Sequence, residues 1–150
     1  MNTKTPSIPA ALDRHLSTNS HDDLPGIARY VAEGAALVTP EAIAALQALR
    51  APLQAKIAGL DVSSHLRRRI DLLATYFDEI ARDGAADPEA QRDTTFALLY
   101  FLKGFDRIPD TVPEVGLLDD AMIVQTVLQR HATTLRAHWL RHRRLWPAEL

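Results

Sequence analysis

From Leu24 onward the apolar positions recur every three or four residues, the spacing that gathers them on one face of an α-helix. Ile27, Tyr30 and Val31 begin such a face, Leu37 extends it, and Asp23 stands where an N-cap carboxylate would accept the first free N–H groups. Gly34 weakens the case for carrying that helix much further. Thr39-Pro40 opens the next one, with a capping hydroxyl followed by a proline whose missing N–H is no loss at the first helical position. Ile43, Leu46, Leu49, Leu53, Ile57 and Leu60 then step by three or four. Pro52 interrupts them, because its ring clashes with the carbonyl of Ala48, and this predicts a kink or break near Arg50. Gly59 to Asp61 closes the run. Asp61 or Ser63 caps a further helix whose stripe is Val62, Leu66, Ile70, Leu73, Phe77 and Ile80, stopped by Asp83-Gly84. Asp87-Pro88-Glu89 starts another. Here Ala90, Phe96, Leu99 and Leu102 occupy one side while Leu98, Tyr100 and Phe101 fill the others, and a helix apolar nearly all round belongs in the middle of a bundle.

No stretch alternates apolar and polar residues for long enough to predict a strand. The pattern predicts an all-α protein: an irregular bundle of five or six helices, with a Pro/Asp-rich connector before a long C-terminal helix. Residues 1–23, rich in Ser, Thr, Asn, Pro and charge, read as a flexible arm. Ile8, Leu12 and Leu16 suffice there for a helical turn or two, and His15 and His21 are expected in solvent. Residues 24–150 read as one helical domain. A chain of 150 residues with 47% apolar content can bury about two-thirds of its surface. A formal charge of −2 argues against a protein dominated by phosphate contacts. The absence of cysteine rules out a disulfide framework and a thiolate metal site, and it fits a cytoplasmic location. The longest apolar run, Phe96 to Leu102, falls far short of the roughly 20 residues of a spanning helix.

The most specifically written stretch is the connector, Y-F-L-K-G-F-D-R-I-P-D-T-V-P-E-V-G-L-L-D-D, from Tyr100 to Asp120. Pro109 and Pro113 disfavour helical geometry in the residues before them, Ile108 and Val112. Phe105, Ile108, Val112 and Val115 are apolar, so the connector is expected to pack down. Five acids punctuate it: Asp106, Asp110, Glu114, Asp119 and Asp120. The order D-x-I-P-D-x-x-P-x-x-G-x-x-D-D between two apolar helices, carried by Asp106, Ile108, Pro109, Asp110, Pro113, Gly116, Asp119 and Asp120, resembles the YkvA-like family, a domain of unknown function (DUF1232). Phe105 stands where that family usually has a proline. The resemblance is close over residues about 96–135 and implies a fold but no activity.

Asp106, Asp110, Asp119 and Asp120 invite a metal or acid–base reading, since hard cations want several oxygens and paired carboxylates can share a proton. Their spacing does not fit the twelve-residue calcium loop, and no activated nucleophile or glycine-rich phosphate loop accompanies them. The plainer reading gives Asp106 and Asp110 turn-capping roles and sets Asp119 and Asp120 against a helix dipole. A divalent cation on these four aspartates is therefore the second reading and catalysis the third.

From Leu117 the helical pattern runs to about Trp146. Leu117, Val124, Leu128, Leu135 and Trp146 form one stripe, and Asp120, His131, His138 and His142 another. His138 and His142, four apart, have the spacing of a zinc-binding pair, but no glutamate stands near them in sequence and His131 is about 10 Å further along the helix. Packing histidines are the expectation. The end of this helix carries Arg136, Arg141, Arg143 and Arg144 beside Trp139 and Trp146. Cations suit a helix C-terminus, and Arg with Trp is also the composition of a partner surface. The leading expectation is a non-enzymatic accessory protein acting through protein contacts, with peripheral contact to an anionic membrane as a variant. A divalent-metal protein or hydrolase is the alternative, a self-associating scaffold comes next, and nucleic acid ranks below a protein partner.

Overall fold

A computed structural model describes residues 8–17, 24–84, 87–104 and 113–147. Eight helices run through them: α1 (Ala10–Ser17), α2 (Leu24–Ala36), α3 (Pro40–Ala48), α4 (Arg50–Ala58), α5 (His65–Asp83), α6 (Pro88–Gly104), α7 (Pro113–Arg130) and α8 (Ala132–Arg141). The described residues contain no strand, and the all-α class read from the sequence holds. No helix among them is long and apolar enough to cross a membrane.

The helix starts obey elementary capping. Thr39 sits in extended geometry and its hydroxyl accepts from Ala42 N at 3.2 Å, with Pro40 at the first helical position. Asp87 accepts from Glu89 N at 2.9 Å and Ala90 N at 3.2 Å ahead of α6. The cap of α5 is Ser64, which accepts from Arg67 N, where the sequence favoured Asp61 or Ser63. Asp61 instead closes the preceding turn on Ser63 N and Oγ, and those two bonds hold its carboxyl below the usual range. Val62 thereby leaves the predicted stripe and is 72% exposed. At its far end α5 stops on Gly84 at φ 69°, a conformation that favours a residue without Cβ.

Eight helices exceed the expected five or six for three reasons. The break foreseen near Arg50 is complete. Leu49 separates α3 from α4, which makes Pro52 the third residue of a new helix, among the N–H groups that have no partner within the helix. The single long C-terminal helix is divided at His131 (φ −116°, ψ 24°), with no proline or glycine to mark the place. There the imidazole is held on α6 by Asp93, 2.5 Å from its Nε2. The third is α1. Residues 10–17 form a docked helix, with Leu12 and Leu16 essentially inaccessible, where a flexible arm was expected. His15 does not face solvent: it stacks on Tyr30 at 4.3 Å, its Nε2 meets Tyr30 O, and the Tyr30 hydroxyl donates to His15 O, both at 2.8 Å.

The core is organised on α6, which packs against α1, α2, α3, α4, α5 and α7. Every residue from Phe96 to Leu102 is buried. Gly34, in mid-α2, is explained by this helix. A Cβ on Gly34 would lie 2.2 Å from Cε1 of Phe96, so the missing side chain lets the Phe96 ring rest on the backbone of α2. Lys56 of α4 reaches across to donate to Leu102 O, meeting one of the free carbonyls at the end of α6. Nε and Nη2 of Arg50 donate to the two carboxylate oxygens of Asp78, joining α4 to α5.

Candidate functional site

The connector acids do not form a described site. Asp106, Pro109 and Asp110 lie outside the described residues. Pro113 opens α7, as its fixed φ suits, and Gly116 lies within the first turns of that helix. Asp119 and Asp120 follow in α7. Of the four candidate metal-binding aspartates, Asp120 alone has a described side chain, and it is buried, 3% exposed.

What the fold does assemble is a polar seam between the face of α5 and the C-terminal helices. His138 is completely buried, edge-on to Tyr76 at 5.0 Å between ring centres. Burial, chiefly, raises the Tyr76 hydroxyl above its ordinary pKa, with Asp87 adding to the effect. Nε2 of His138 lies 2.8 Å from Oε1 of Glu79, and Arg144 donates to the same oxygen at 2.5 Å. Burial alone would raise the Glu79 carboxyl. The bonds from His138 and Arg144 outweigh it and hold the group below its ordinary value. One turn along, His142 Nε2 meets Asp83 Oδ2 at 3.2 Å. Two carboxylates four apart on α5 thus face two imidazoles four apart on and just after α8. A second buried pair, Asp93 with His131, is joined by Arg130 at 3.5 Å and ties α6 to the α7–α8 junction.

The expected Arg/Trp surface separates into parts. Trp139 is buried and Trp146 half-buried, edge-to-face at 5.8 Å. Arg144 covers Trp139 at 4.2 Å and Arg136 covers Trp146 at 5.5 Å, cation–π contacts that hold the chain after α8 against the bundle. Arg143, at φ 57°, makes the reversal that returns Trp146 to the domain. Arg141 is exposed, with Nη2 3.3 Å from His138 Nδ1. Trp146 ends up walling an open cleft shared with Arg69 of α5, Gln125, Leu128 and Gln129 of α7, and Ala132 and Arg136 of α8. Beyond the tryptophan pair, Arg68, Asp71, Leu72, Thr75, Trp139 and Pro147 line a second shallow recess.

Sequence reading missed the Glu79 and Asp83 contribution because it comes from α5, 59 residues away in each pair. The only signal was the matching i,i+4 spacing on both helices. Arg69 likewise stands in the run Arg67-Arg68-Arg69, which by sequence alone reads as a solvated helix face. Arg67 and Arg68 do serve local structure, donating to Leu60 O and Ser63 O, whereas Arg69 turns to the cleft.

Among known families, residues 94–125 match the sequence profile described as protein of unknown function (DUF1232). The chain carries a DUF1232 segment. It covers most of α6, the connector and the first two-thirds of α7, so Asp120 lies inside it while the α5–α8 seam and every cleft residue except Gln125 lie outside. No curated protein and no solved structure matched in the corresponding comparisons.

Proposed function

We propose that this DUF1232 protein is a non-enzymatic binding protein that takes an acidic, partly apolar segment of another protein into the cleft between α5, α7 and α8. The observation that carries this reading is the pair Arg69 and Arg136. Both line the cleft, and among the described residues neither has a carboxylate partner. Arg50, Arg130 and Arg144, by contrast, are each paired with an acid. A guanidinium offers a planar fork that matches a carboxylate, and two of them on one recess favour an acidic ligand. Leu128 and Trp146 supply apolar walls, and the exposed Gln125 and Gln129 offer amides for a peptide backbone. Leu140 and Leu145, 76% and 94% exposed, add apolar surface at the same end of the molecule.

The test is selection of a displayed random-peptide library on immobilised protein, followed by affinity measurement on the wild type and on Arg69→Glu/Arg136→Glu. Enrichment of peptides pairing Asp or Glu with an apolar residue, and a loss of roughly tenfold or more in the double variant, is expected. Peptides that bind both proteins alike would overturn the reading. So would co-sedimentation of the wild type with phosphatidylglycerol vesicles in the absence of any selected peptide.

A further inference from the structure

We infer that Glu79, His138 and His142 form a binding site for a divalent transition ion of the zinc type. Each offers one donor, and the three donor atoms lie within 4.8 Å of one another. Zinc bonds of about 2.0–2.2 Å place neighbouring ligands of a tetrahedral site roughly 3.3–3.6 Å apart. The widest pair therefore needs to close by about an ångström, while Glu79 Oε1 and His138 Nε2, 2.8 Å apart, separate slightly as the ion enters between them. Two of its members can supply that movement, since the His142 side chain is 33% exposed and Glu79 19%, while buried His138 provides the fixed point.

One helical turn separates the two ion pairs of the seam and sets the two imidazoles side by side, with ring centres 4.5 Å apart. Their i,i+4 spacing is that of paired zinc histidines, and the carboxylate of Glu79 comes from another helix to meet them. Two imidazoles and one carboxylate suit zinc, cobalt or nickel and are poor for calcium or magnesium, which want a shell of oxygens. Asp83 bonds Nε2 of His142, and with that ring coordinating through Nδ1 it would be the outer carboxylate that orients it. Three protein donors leave a fourth position for water or a partner's side chain.

Binding has a built-in optical consequence. The ion competes with Arg144 for Glu79 Oε1, and Arg144 is the cation lying over Trp139. Displacing it changes the surroundings of that indole. The experiment is zinc titration of chelator-stripped full-length protein, read by calorimetry and by tryptophan fluorescence, with cobalt(II) absorption reporting the coordination geometry. One equivalent should bind with a fluorescence change, and cobalt should give the visible bands of a tetrahedral site. His142→Ala, a change at a partly exposed position that leaves the core intact, should weaken zinc binding by at least about tenfold, and Glu79→Gln should do the same. His65→Ala, on exposed α5 surface away from the seam, should bind as the wild type does. Absence of saturable binding below millimolar zinc would overturn the inference. So would wild-type affinity in folded His142→Ala and Glu79→Gln, which would assign any uptake to other histidines.

Discussion

The two faces of α5 are built from opposite materials. Toward α6 it buries Ile70, Leu73, Phe77 and Ile80 in a core without an ion pair between those side chains, and every one of them is spaced for it in the sequence. Toward α8 it presents Glu79 and Asp83 to two histidines and an arginine, a contact made of directed bonds between residues far apart in the chain. Apolar contact is non-directional and scales with area, so its partners need only be on the right face. The polar seam depends on which atom meets which, and removing one member leaves another unsatisfied. The two should therefore respond differently to mutation, the core by graded loss of volume and the seam by sensitivity to single atoms.

The largest effect is expected in the core. Phe96→Ala should cost about 3–5 kcal/mol in urea unfolding, because the ring is fully buried and its neighbours cannot collapse around the loss. Gly34→Ala should cost about 1–3 kcal/mol by driving a methyl into the same ring. The two costs should not add. Once Phe96 is truncated, the methyl on Gly34 occupies space the ring has vacated, so the double variant should be less damaged than the sum. Strict additivity would show that Gly34 is not there to admit Phe96.

Next comes the buried pair at the α7–α8 junction. Asp93→Ala leaves the imidazole of His131 buried with its carboxylate gone and should cost about 3 kcal/mol. Asp93→Ala combined with His131→Leu should recover part of that loss, since an apolar pair of similar size leaves nothing unsatisfied. If the double variant is worse than the single, the junction depends on packing around His131 and the hydrogen bond is incidental.

These cases also mark how far the sequence could be read. The central position of α6 follows from Phe96–Leu102 being apolar on all sides, and the α3–α4 break from Pro52, because both are local consequences of spacing and ring geometry. The division at His131 was not legible: no proline or glycine marks it, and the residue that holds its imidazole, Asp93, lies on another helix. The same holds for Glu79 beneath His138 and for Arg69 in the cleft. The docking of α1 was not legible for a related reason. Leu12 and Leu16 mark a helical turn or two but do not say where so short a helix docks, and its place is fixed by tertiary contact with Tyr30 and its neighbours. The family segment, finally, was legible from a motif whose acids are largely outside the described residues, so its strongest signal and the assembled polar chemistry lie in different parts of the chain.

The smallest effect divides the arginines that composition places together. Arg144 donates to Glu79 and covers Trp139, so Arg144→Ala should cost about 1 kcal/mol and shift the tryptophan emission, the cost being moderate because both partners are partly open to solvent. Arg141→Ala removes an exposed side chain with one long contact to His138 and should change unfolding by less than about 0.5 kcal/mol. A comparison of the two by thermal unfolding and fluorescence checks this. Equal, negligible effects would place Arg144 back with the solvated charges of a helix end. A large effect at Arg141 would mean that the Nδ1 side of His138, and not its bond to Glu79, is what holds α8 to α5.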